Sequence, residues 1–126
     1  MVPPNTAQPD LPLVDLTVLA HLEQQLNDAG PARAFARDYI TGFADRHLRL
    51  VRSVANQDRP AALEAALSLR NSSLMVGARQ LAALTAAFEA AVSLADLDAA
   101  RRTLPGIERC GLETIRELET RYLDPA

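Results

Sequence analysis

From Leu13 to Leu123 apolar residues recur every three or four positions, and short clusters of Pro, Gly, Asp and Asn interrupt the pattern. A 3.6-residue period puts such residues on one face of a helix, whereas a half-buried strand needs strict alternation. The longest stretch runs from about Pro31 to Asn56. Phe35, Tyr39 and Phe43, then His47, Leu50, Val51 and Val54, trace a single apolar face there. The chain is therefore expected to be all-α.

Four further segments follow from the same reasoning. Asp15 is a suitable N-cap for a short first helix reaching about Asn27, with Leu19, Leu22 and Leu26 inward. Asp28-Ala29-Gly30-Pro31 separates it from the long second helix. A third helix starts near Asp58-Arg59-Pro60 and continues to about Ser73, with Leu74-Met75-Val76-Gly77 as the joint. The fourth spans about Ala78 to Ser93, its face built from Leu81, Leu84, Thr85, Phe88, Ala91 and Val92. The fifth covers about Ala95 to Leu123, with Leu97, Leu104, Ile107, Ile115, Leu118 and Tyr122 inward. Pro105-Gly106 should kink or break it, because proline removes a backbone donor and crowds the preceding turn. Four long amphipathic helices with short connections predict an antiparallel up-and-down four-helix bundle, with the short N-terminal helix covering one end. Residues 1–12, with four of the eight prolines, are expected to form a flexible tail, and residues 13–126 one domain.

Composition narrows the function classes. Aromatic residues are 4% of the chain, so Leu, Ala, Val and Ile must fill the core. The net charge is −3 with both signs interspersed, which argues against a nucleic-acid partner. One cysteine, Cys110, excludes an intrachain disulfide, and with two distant histidines it makes a poor metal site. No cofactor is expected. No apolar run approaches the ~20 residues of a membrane span, and the start lacks a signal-peptide pattern, so a soluble, cytoplasmic protein without membrane association is expected.

The third helix is the most informative. At 100° per residue, Ala62, Ala66, Leu69 and Ser73 form a narrow core stripe of mostly small side chains. Leu63, Leu67, Arg70 and Leu74 form a second stripe about a third of a turn away. Leucines facing solvent forfeit roughly 25 cal/mol per Å² unless something covers them. The cover is a partner protein, the N-terminal helix or a second copy of the chain.

The stretch Asp58 to Ala78, DRPAALEAALSLRNSSLMVGA, resembles the signature helix of the histidine phosphotransfer (HPt) domain family, whose motif reads roughly A-H-x-L-K-G-S-[SA]-x-x-[LV]-G-A. Ala66 to Ala78 align without a gap, and the resemblance covers about Val14 to Leu123. Leu67 occupies the place of the phospho-accepting histidine, Arg70 that of the lysine and Asn71 that of the glycine. The resemblance implies a helical bundle whose second stripe docks a response-regulator receiver domain or a histidine kinase. Phosphotransfer needs a nitrogen nucleophile, which leucine does not offer. The expected function is a non-enzymatic pseudo-HPt module of a two-component phosphorelay, docking through Leu63, Leu67, Ser68, Arg70, Asn71 and Leu74. Arg70 could still contact phosphate or carboxylate, but a solvated helix charge is the simpler reading; Asn71 adds bulk beside the reactive position.

Two other classes stand beside it: a self-associating bundle protein that pairs through the leucine stripe, and an active phosphotransfer protein using a non-standard residue. His21 and His47 lack the family's flanking pattern and read as a surface and a boundary histidine. Ser68, Ser72 and Ser73 have no adjacent base, and Cys110 is expected to pack inside.

Overall fold

The computed structural model describes residues 11–125, so most of the expected tail, residues 1–10, lies outside the described residues. Five helices follow in order: α1 Leu16–Leu26, α2 Ala29–Ala55, α3 Arg59–Met75, α4 Arg79–Ser93 and α5 Leu97–Leu118, the last running into a π-helical turn, Glu119–Leu123. No strand occurs among the described residues, and no helix among them is long and apolar enough to cross a membrane.

The four connections share one design. A residue in the left-handed conformation ends each linker: Asn27 (φ 53°), Gln57 (φ 55°), Gly77 (φ 81°) and Ala95 (φ 61°). The next residue is the N-cap of the following helix. At three of them an aspartate accepts from the first turn, Asp28 from Gly30 N (2.9 Å), Asp58 from Ala61 N (3.1 Å) and Asp96 from Ala99 N (3.0 Å). Because Asp28 caps, α2 starts two residues before Pro31, which sits in the first turn where a missing N–H costs nothing. The fourth connection has Ala78 at the cap, with no side-chain bond, and glycine in the left-handed position.

α2 packs on α3, α3 on α4, α4 on α5 and α5 on α2, while α1 lies on α2. Leu50, Leu69, Leu81, Phe88, Val92, Ile107 and Leu118 are among the fully buried residues of the common core. The small stripe of α3 behaves as expected: Ala62, Ala66, Leu69 and Ser73 are all buried. α5 also comes close to α2. A Cβ on Gly111 would stand 2.0 Å from Phe43 Cζ, so the absence of a side chain there seats the phenyl ring.

One expectation is corrected and one is narrowed. Leu26, placed inward by its spacing, is 49% exposed: it is the last residue of α1, next to the left-handed cap Asn27. Of the two outcomes expected at Pro105, a kink or a break, the break does not occur: α5 runs unbroken from Leu97 to Leu118. The ring is on the exposed face, and His47 Nε2 on α2 lies 3.4 Å from the Leu104 carbonyl oxygen beside it. The far end of the core is closed by Arg33, which donates to the carbonyl oxygens of Tyr122 (3.1 Å) and Leu123 (2.6 Å) in the π-helical turn. The Tyr122 hydroxyl donates to the Glu23 carboxylate, joining α1 to the end of the chain.

Tyr39 and Ser73 share a buried hydroxyl–hydroxyl bond of 2.8 Å. Burial pushes the Tyr39 phenol up to about 12 from an ordinary 10.0. A phenol whose folded pKa is raised contributes full stability below the unfolded value and loses it as pH rises through the folded one. The melting temperature should therefore hold up to about pH 10 and fall between about pH 10 and 12, with Tyr39→Phe flattening the fall; a pH series of thermal melts checks this.

Candidate functional site

The outward arc of α3 carries Pro60, Glu64, Leu67, Ser68, Asn71, Leu74 and Met75, all exposed. Leu67 is 44% exposed, Leu74 46% and Met75 56%, and they form the apolar part of the arc. Each side chain leaves about half of its surface in water, an arrangement that favours a covering surface over solvent.

The stripe expected from the sequence is divided by the structure. Leu67 and Leu74 face solvent, but Leu63 is only partly exposed and packs against the core. Arg70 is not a solvated charge. Its Nε donates to Glu89 Oε1 of α4 at 2.5 Å, and the two side chains are 32% and 22% exposed. The reason is angular: Leu63 and Arg70 lie further round α3, on the flank that α4 covers. Ser68 and Asn71 stay on the open arc.

Met75 is the residue that sequence reasoning left out. The sequence pattern puts it in the joint, but α3 continues two residues past Ser73 and sets Met75 beside Leu74. Its spacing of eight residues from Leu67 was the available signal. The first helix does not cover the leucines: it packs on α2, and the segment before it is fixed to the α3–α4 joint by Asp15 N donating to the Gly77 carbonyl at 2.7 Å.

The polar residues nearby are mostly engaged. Ser72 donates to the Ser68 carbonyl (2.8 Å), and Ser73 is bonded to Tyr39. His47 is half-buried and stacked on Phe43, with ring centroids 6.0 Å apart, and His21 is exposed on α1. Cys110 is buried, which pushes its thiol pKa up and lowers its reactivity. No group of three or more His, Cys, Asp or Glu among the described residues could hold a metal ion.

No protein-family model, curated protein or solved structure matches this chain. The chemistry of the arc is therefore the guide to its use. It presents apolar surface with polar groups and one carboxylate, Glu64, beside it, and Leu67 has no lone pair for covalent work. Such a face is suited to contact with another protein surface.

Proposed function

We propose that the chain is a pseudo-HPt module: a cytoplasmic antiparallel four-helix bundle that docks a receiver domain or a histidine kinase through the open arc of α3 without carrying phosphate. The observation that carries this reading is the exposure of Leu67, at 44%, where the HPt-like motif would hold its histidine. Leu74 and Met75 extend it into an apolar centre, with Ser68 and Asn71 as polar neighbours. Interfaces are commonly built this way, and a few central apolar residues supply most of the affinity.

Cross-links between helices support the antiparallel arrangement. Arg59, the first residue of α3, donates to the carbonyls of Val92 (3.2 Å) and Ser93 (3.3 Å) at the end of α4. Arg33, early in α2, reaches the end of α5, and Tyr39 in the first half of α2 meets Ser73 near the end of α3. Each bond joins the start of one helix to the finish of its neighbour.

Incubating the chain with phosphorylated receiver domains and with histidine kinases of the same organism tests the reading. Binding without acid-labile label on this chain is the expected result. Stable label, or no binding across the set, would overturn it. The same exposed residues favour a second reading, a two-fold homodimer through α3. Light scattering after size exclusion separates the two, since a dimer that buries Leu67 would elute at twice the mass of the chain.

A further inference from the structure

We propose that the furrow between α2 and α3 binds a phosphate-class oxyanion at its midpoint, held by Arg46, Arg49 and Ser68. This site is on the α2 side of α3, shares Ser68 with the open arc, and does not rest on the docking reading. The furrow has two lobes of about 390 and 200 Å³. Asp58 and Glu64 line only the larger, Asp38 and Asp45 only the smaller, and Arg46, Arg49 and Ser68 line both. The carboxylates are thus divided between the two lobes, and the wall common to both carries two arginines and a serine.

The furrow exists because the flank of α3 facing α2 is made of small side chains, Ala61, Ala65 and Ser68, opposite long ones on α2. Gly42 opens the wall further. A Cβ there would stand 2.8 Å from Arg46 Nη1, so the guanidinium folds back over the bare glycine, half-buried. Among the described residues Arg46 makes no ion pair, and the Ser68 hydroxyl makes no hydrogen bond. Asp58 is committed to the Ala61 amide. Arg49 pairs with Asp45 at 3.0 Å, but the two side chains are 68% and 65% exposed, and such a pair is weak enough to exchange for a better acceptor.

Two forked guanidinium donors and a hydroxyl on one wall match the several oxygens of a tetrahedral dianion better than the two of a carboxylate. An NMR titration of the ¹⁵N-labelled chain with sodium phosphate at constant ionic strength, with sodium acetate as the second arm, tests this. Saturable shifts should appear in amides of residues 42–52 and 64–72, with acetate at least roughly fivefold weaker. Arg46→Ala and Arg49→Ala should each weaken phosphate roughly tenfold, Arg46→Lys should recover part of the loss, and Arg102→Ala on α5 should change nothing. Melting curves of each variant verify that the fold is kept. Shifts that rise linearly and equally with both salts, or an Arg46→Ala variant that binds like the parent, would overturn the proposal.

Discussion

Replacing Gly77 by alanine should cost about 3 kcal/mol of stability, from left-handed backbone strain and a backbone overlap acting together. Gly77 has φ 81°, a conformation in which an L side chain is strained. A Cβ there would also stand 2.2 Å from the Asp15 carbonyl oxygen and 3.3 Å from its nitrogen. Backbone atoms cannot swing aside as a side-chain tip can. Relief would come by withdrawing Asp15, which breaks its 2.7 Å bond from N to the Gly77 carbonyl. Asp15 is also the N-cap of α1, and its carboxyl is held below its ordinary pKa chiefly by the Thr17 hydroxyl and amide, with Arg79 adding to the effect. The variant should therefore melt roughly 10–20 °C lower, and amides of α1 should lose hydrogen-exchange protection first. Gly77→Asn separates the two causes. Asparagine tolerates the left-handed region but keeps the Cβ, so it should recover little. A Gly77→Ala loss under about 1 kcal/mol, or near-parental stability in Gly77→Asn, would show that the contact with Asp15 is not a constraint.

The same glycine shows what the sequence could and could not convey. Its position after a helical stripe marks a joint, because a chain that stops being helical needs a residue tolerant of positive φ. That Asp15, sixty-two positions earlier, lies against it has no local signature. The buried faces were legible for a related reason: Ala62, Ala66, Leu69 and Ser73 share an angle on the wheel, and angle within one helix is a local property. Which helix covers a flank is not. Arg70 read as a solvated charge because Glu89, nineteen residues on, belongs to another helix. Leu63 and Leu67 looked equivalent on the wheel, yet α4 covers one flank of the stripe more than the other. Pro105 shows the opposite limit. Proline's local penalty argues for a kink or break, and α5 continues through it without a break, with Pro105 on an exposed face and buried residues on both sides, Leu104 and Ile107.

Leu67→Asp should leave the free protein close to its parental stability and weaken docking at least a hundredfold. The two effects separate because the side chain is already 44% exposed in the isolated chain, so a carboxylate there stays hydrated and costs within about 1 kcal/mol. In a docked complex the same carboxylate would be stripped of water opposite an apolar surface. Without a partner for the charge, several kcal/mol are lost, and each 1.4 kcal/mol is about a tenfold fall in affinity. Two controls locate the effect. Leu63→Asp introduces the charge against the core and should destabilise the fold itself. Leu112→Asp alters a leucine of α5 that is 59% exposed and outside the arc, and should leave both stability and binding unchanged. Binding measured by calorimetry against a receiver domain retained in the incubation, beside a thermal melt of each variant, reads both quantities. If Leu67→Asp binds like the parent while Leu112→Asp does not, the docking face is on α5 rather than α3. If both bind normally but Leu67→Asp converts a dimer into a monomer, the arc serves self-association, and Leu67 is there to meet its own copy.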